Sequence, residues 1–204
     1  HRGFEKFYGT IYGVVNYFDP FSLVDGEEPV REVPEGYYVT DDLSQKAVSY
    51  VNEYTGDDKP FFLYLSYTAP HWPLHALPED IEKYKDTYKA GWETISNRRY
   101  ERIRQLGIFP GQDDFLSQRQ FNDKWEDNPT AEWDARAMAV HAAMIDRMDQ
   151  GIGQVLEALE KNGQMDNTLI LFLSDNGCSS EQCQNYSPGE NDRPDMTRDG
   201  RPIV

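Results

Sequence analysis

Asp175 and Asn176 are the first residues in this chain whose types and placement suggest chemistry. They follow the run Leu169-Ile-Leu-Phe-Leu-Ser174 and precede Gly177. A carboxylate and an amide oxygen are hard donors of the kind that Ca²⁺ and Mg²⁺ prefer. The apolar run ahead of them does not alternate, which suits a strand buried on both faces of a parallel sheet. Open α/β sheets bind ligands beyond the carboxyl ends of their strands, where this pair would sit. Asp-Asn-Gly is equally a turn sequence, because these residues tolerate left-handed backbone and hydrogen-bond locally.

A second group lies in Ala69-Pro-His71-Trp-Pro-Leu-His75, directly after the apolar run Phe61–Thr68. The prolines hold the loop extended and remove amide donors. If both runs are parallel strands, their carboxyl ends share a face, and the His loop and the Asp-Asn pair meet there. The basic stretch near Arg98 is a further candidate. A divalent cation beside an imidazole suits binding and hydrolysis of an oxyanion ester. The plain alternative is a packed or exposed histidine with no such role. His141 falls inside a helical pattern and is read as structural, and His1 is terminal. There is no Gly-x-Ser-x-Gly elbow, phosphate-binding glycine loop or His-Glu-x-x-His. Cys178 and Cys183 lack the surroundings of a nucleophile and can be bridged or free. Asn185-Tyr-Ser187 matches a glycosylation acceptor, a pattern short enough to arise by chance.

The elements that must position these residues follow from periodicity. Residues 1–40 read as short extended pieces and loops, broken at Asp19-Pro20 and Val33-Pro34. Their dense aromatics are expected to cover the edge of a core. Thr40-Asp41-Asp42 supplies an N-cap and acidic first turn for a helix to about Tyr54, with Leu43, Ala47, Val48 and Val51 packing on a sheet. A helix over Glu79–Tyr88 starts near Pro78, and Trp92–Leu106 has helical composition. Residues 107–129 read as an irregular insertion. Ala131–Lys161 reads as one long helix or a pair, with an apolar face of Met138, Ala142, Ile145, Met148, Ile152, Val155, Leu156 and Leu159. Gly151 and Gly153 mark a break or a close contact, and Asn162-Gly163 marks the stop. The order strand, helical excursion, strand predicts an α/β sandwich with parallel strands.

The 204 residues suffice for one sizeable core or two small domains. With 38% hydrophobic and 13% aromatic residues the composition is that of a globular chain. A formal charge of −16, from 36 acidic and 20 basic residues, disfavours nucleic-acid and membrane-surface partners. No apolar run approaches the ~20 residues needed to span a bilayer, and no signal-peptide pattern opens the sequence.

Arg2-Gly-Phe-Glu-Lys-Phe-Tyr-Gly9, the Phe61–Thr68 run with Ala69–His75, and Leu171-Phe-Leu-Ser-Asp-Asn-Gly177 together resemble the central part of a type I sulfatase. The likeness is to the arylsulfatase branch of the alkaline-phosphatase-like superfamily. It implies a three-layer α/β sandwich with a mainly parallel central sheet, residues 1–204 being an internal part of the catalytic domain. It also implies a formylglycine nucleophile, made from a Cys/Ser-x-Pro-x-Arg motif, and Ca²⁺, ahead of Mg²⁺, held by three Asp and one Asn. By motif position Asp175 and Asn176 resemble two of those metal ligands, and His71 resembles the histidine that contacts the ester and its leaving oxygen. No family role falls on His75.

The nucleophile motif, the other Asp ligands and the family's Lys motifs are not in this sequence. The resemblance therefore implies that an isolated chain of these residues is inactive, and that the complete protein hydrolyses a small-molecule or glycan sulfate ester. A periplasmic, secreted or lysosomal-type compartment is what the family suggests, and oligomeric state is left open. Two rival readings stand beside this one. One is a phosphoesterase of the same superfamily. The other is a non-catalytic sulfated-glycan binding module, using Trp72, Tyr67 and Trp92 as stacking surfaces.

Overall fold

A computed structural model describes residues 3–56, 59–108 and 124–178. The chain divides into two compact units. The first is His1–Pro73 with Arg147–Val204, and the second is Leu74–Asp146.

The first unit opens with three short antiparallel strands, β1 (Tyr8–Thr10), β2 (Leu23–Asp25) and β3 (Glu28–Pro29), in the order β1-β2-β3. Gly9 pairs with Val24, and Asp25 with Glu28. The expected aromatic cover is present in part: Tyr17 and Tyr38 are fully buried, with ring centroids 5.8 Å apart, whereas Phe4, Phe7, Tyr12 and Phe21 are exposed. Helix α1 (Val39–Tyr54) follows, but Thr40 is not its cap. The helix begins after Tyr38, and Val39 N–H, one of the amides a helix start leaves unpaired, donates to the Tyr17 carbonyl at 2.8 Å. Tyr38 and Val39 are core residues, so packing pulls the start inward and Thr40 is buried within the first turn.

Leu43, Ala47 and Val51 are buried, as the periodicity predicts. Ala47 and Val51 pack against Val155, Ala158 and Leu159 of α4 (Ala131–Lys161) rather than against a paired sheet. Helix α4 is one continuous helix of 31 residues. Its buried face matches the expected one at Ala142, Val155 and Leu159 and departs from it elsewhere. Met138 and Ile145 are exposed, whereas Ala135, Ala139, Ala142, Ala143 and Met144 are buried. Alanines admit close approach of neighbouring elements, so Ala135, Ala139 and Ala143 turn inward beside Met144 while Met138 and Ile145 lie outside. Gly151 is such an approach: a Cβ there would lie 2.1 Å from Ser44 Oγ. The helix stops as expected at Asn162-Gly163. Gly163 (φ 66°) donates to Glu160 O and Gln164 to Leu159 O, each at 2.9 Å, so two orphan carbonyls are satisfied by a left-handed cap.

In the second unit, α2 (Pro78–Tyr84) is shorter than expected, and the tighter turn Thr87–Ala90 follows it. Ile81 packs with Ala139 and Ala143. Helix α3 (Trp92–Gln105) buries none of its residues. Of the irregular stretch 107–129, residues 109–123 lie outside the described residues.

The two apolar runs expected to form buried strands depart from expectation. Residues 61–68 and 169–173 carry no ladder pairing among the described residues. Phe61, Leu63 and Leu65 pack on the α1–α4 core, while Phe62 and Tyr64 are 77% and 71% exposed. That alternation is the period of an extended segment with one face covered. Leu169, Leu171, Phe172 and Leu173 are each at least 74% exposed, so burial on both faces is not observed. A strand exists by virtue of its neighbours' N–H and C=O groups, and the described residues place none beside these segments.

Candidate active site

His71, Asp175 and Asn176 belong to the first unit, each in a loop directly beyond one of the extended apolar segments. His75 is buried and falls in the second unit, as does Arg98, which is exposed on α3. The expected union of His71 with His75 and the basic helix is thus not a feature of one compact unit. No hydrogen bond or ion pair joins His71 to Asp175 or Asn176 among the described residues.

The His71 loop is fixed in detail. Its Ala69–Pro70 and Trp72–Pro73 peptide bonds are cis. His71 N–H donates to Thr68 O at 2.9 Å, and the His71 carbonyl accepts from the Tyr17 hydroxyl at 2.9 Å. The ring Nδ1 lies 2.6 Å from the Trp72 carbonyl oxygen. The imidazole itself is exposed. Tyr17 is fully buried, and burial pushes its phenol well above the ordinary range.

At the other loop, Ser174 Oγ donates to Asn176 O at 2.7 Å and Asn176 Nδ2 donates to Gly177 O at 2.6 Å. These bonds form a turn, as Asp-Asn-Gly permits. They leave the Asp175 carboxylate and Asn176 Oδ1 unengaged among the described residues, both exposed. Two hard oxygen donors on adjacent residues fit a Ca²⁺ or Mg²⁺ site as part of a set, since such ions take six or more oxygens. Among the described residues no group of three or more His, Cys, Asp or Glu side chains is placed to complete it. Cys178 is exposed; Cys183, the Asn185-Tyr-Ser187 acceptor and Arg2 lie outside the described residues.

Two of the three proposed stacking residues, Tyr67 and Trp92, are engaged internally. Tyr67 is partly buried with its hydroxyl 2.9 Å from Ser44 Oγ, and the Trp92 ring meets the edge of Trp125 at 4.7 Å. The histidine read as structural fits that reading: His141 is half-buried in α4, and desolvation holds its pKa below the ordinary value. Two features were not visible in the sequence. Arg147 forms a two-pronged ion pair with Asp41, both bonds 2.6 Å, tying α4 to the first turn of α1. Tyr17 reaches His71 from 54 positions away, and only its membership of an aromatic-rich stretch marked it.

No described helix is long and apolar enough to cross a membrane. The family pattern described as Sulfatase matches residues 1–198. An arylsulfatase of Klebsiella aerogenes is 33% identical over 172 residues, covering 83% of this chain and 36% of that protein. An uncharacterised sulfatase of Schizosaccharomyces pombe is 29% identical over 198 residues, covering 86% of this chain and 35% of that protein. The chain thus spans about a third of the length of these curated relatives. A Bacteroides fragilis crystal structure described as a sulfatase, YidJ, superposes with a TM-score of 0.53 at 19% identity, over 82% of this chain and 31% of that one. The last likeness is one of fold, and with the family match the fold is α/β of the alkaline-phosphatase-like class. With its pattern matched from residue 1 to residue 198, the chain belongs to the sulfatase family.

Proposed function

We propose that the complete protein hydrolyses sulfuric esters and that this chain supplies His71 and part of the metal site. The observation that carries the reading is the arrangement at His71, within the family match. Its backbone is pinned on both sides and its exposed ring keeps one nitrogen, Nε2, without a partner among the described residues. In hydrolysis the ester S–O bond breaks, water is consumed, and the leaving oxygen must gain a proton. With Nδ1–H held by the Trp72 carbonyl, His71 as the imidazolium donates its Nε2 proton to that oxygen and is left as the Nδ1–H tautomer, so its value grows as the leaving group becomes more basic. Asp175 and Asn176 Oδ1 would hold the divalent cation, Ca²⁺ ahead of Mg²⁺, together with ligands outside these residues. When bound, such an ion supplies positive charge against the sulfate oxygens. The nucleophile we assign to a formylglycine outside the 204 residues, which contain no Cys/Ser-x-Pro-x-Arg motif. The isolated chain is therefore inactive in this reading, and the substrate is a small-molecule or glycan sulfate ester.

The test uses the complete protein on 4-nitrophenyl sulfate and on an alkyl or sugar sulfate. His71→Ala should lower kcat on the poorer ester by roughly 10²-fold or more. Asp175→Ala should raise the concentration of Ca²⁺ needed for half-maximal activity by at least tenfold, a loss of about 1.4 kcal/mol in metal binding. Unchanged turnover in His71→Ala, or hydrolysis confined to phosphate monoesters, rejects the proposal.

A further inference from the structure

Three of the four hydrogen-bonding groups of His71 are engaged within the first unit. The amide donates to Thr68 O, the carbonyl accepts from Tyr17, and the ring Nδ1 lies against the Trp72 carbonyl. A carbonyl oxygen only accepts, so Nδ1 carries hydrogen and Nε2 is the nitrogen left for a ligand. Tyr17 is itself anchored. It is 1% exposed, its ring packs on Tyr38, and its carbonyl accepts from Val39 N–H at the start of α1. Asn16 Oδ1 accepts from Phe18 N–H at 2.8 Å and Asp19 N–H at 3.2 Å, which fixes the chain on either side of Tyr17. Its buried hydroxyl stays protonated and remains a donor.

We propose that Tyr17 is a positioning residue for His71: its hydroxyl holds the His71 carbonyl while the Trp72 carbonyl holds Nδ1–H, so that Nε2 is presented to the leaving oxygen. This assignment rests on the sulfuric-ester reading of His71. Misplacing a proton donor by about 1 Å costs on the order of 10²-fold in rate, so one hydrogen bond that prevents part of such drift is felt in kcat. The plainer role is that Tyr17 only satisfies a buried hydroxyl. The two roles separate by leaving group and by background.

The experiment compares Tyr17→Phe, His71→Ala and the double variant in the complete protein, on 4-nitrophenyl sulfate and on an alkyl sulfate. Tyr17→Phe should lower kcat on the alkyl sulfate roughly tenfold, with less loss on the nitrophenyl ester and KM unchanged. In the His71→Ala background it should change nothing further. An equal loss on both esters, a loss that persists without His71, or no loss at all overturns the positioning role. Unchanged kcat in His71→Ala removes the parent reading and this one with it. The ¹⁵N spectrum of His71 in histidine-labelled wild-type protein gives a second measurement, decisive where Tyr17→Phe does not fold. For the neutral ring the Nδ1–H tautomer is expected, and the Nε2–H tautomer overturns the proposal.

Discussion

At the scale of single residues, the environment of each histidine decides what it can do. His71 stands exposed with its backbone pinned, whereas His141 sits half-buried in α4. Desolvation lowers the His141 pKa below 6.5, so between its folded and unfolded values the unfolded chain binds more protons. Stability then rises with pH up to about 6.5 and gains nothing further from this group above it. A single site contributes at most about 1.4 kcal/mol per pH unit to that slope. The melting temperature of the complete protein, followed from pH 5 to 7.5, should climb less steeply in His141→Gln than in wild type. An identical slope would show that His141 is not desolvated. The residue types at His71, Asp175 and Asn176 were legible from sequence because Pro-His and Asp-Asn-Gly are local signals. Tyr17 was not, because its role is a contact made across 54 positions and leaves no periodic trace.

At the scale of elements, the packing of α1 on the C-terminal half of α4 turns on one absent side chain. A Cβ at Gly151 would meet Ser44 Oγ at 2.1 Å and the Tyr67 hydroxyl at 3.1 Å. Ser44 cannot swing away cheaply, because its hydroxyl donates to the Thr40 carbonyl at 2.7 Å and meets Tyr67 at 2.9 Å. Alanine gains up to about 1 kcal/mol of helix propensity over glycine. Overpacking costs about 1–3 kcal/mol, and at this separation it wins. Gly151→Ala should therefore lower the denaturation midpoint, and adding Ser44→Ala should recover part of the loss. Stabilisation by Gly151→Ala alone would contradict the contact. The sequence marked Gly151 as a break or a close approach and left both open; the unbroken helix settles it as the second. The α4 apolar face was read with Met138 and Ile145 inside because periodicity weighs large side chains. It cannot see that alanines admit a nearer neighbour.

For the whole molecule, most helices were legible because amphipathic periods and stop signals are local. The sheet was not, because pairing depends on which other segments lie alongside. Leu169–Leu173 therefore reads as a buried strand in sequence and stands exposed among the described residues. In the complete protein we expect this segment to exchange its amide hydrogens slowly, as a paired strand does. Fast exchange there would reject the interior position proposed for it. Taken alone, the same segment has another consequence. Five consecutive apolar residues without charge or proline are the composition that stacks into cross-β assemblies. A net charge of −16 opposes self-association at low ionic strength, and salt screens that repulsion within ~10 Å at 0.1 M. The 204 residues, expressed by themselves, should form thioflavin-positive aggregates faster as salt is added, and Leu171→Lys should delay them. The ribbon that would place Asp175 at its site in the complete protein is thus, before it finds its neighbours, a part of this chain open to misassembly.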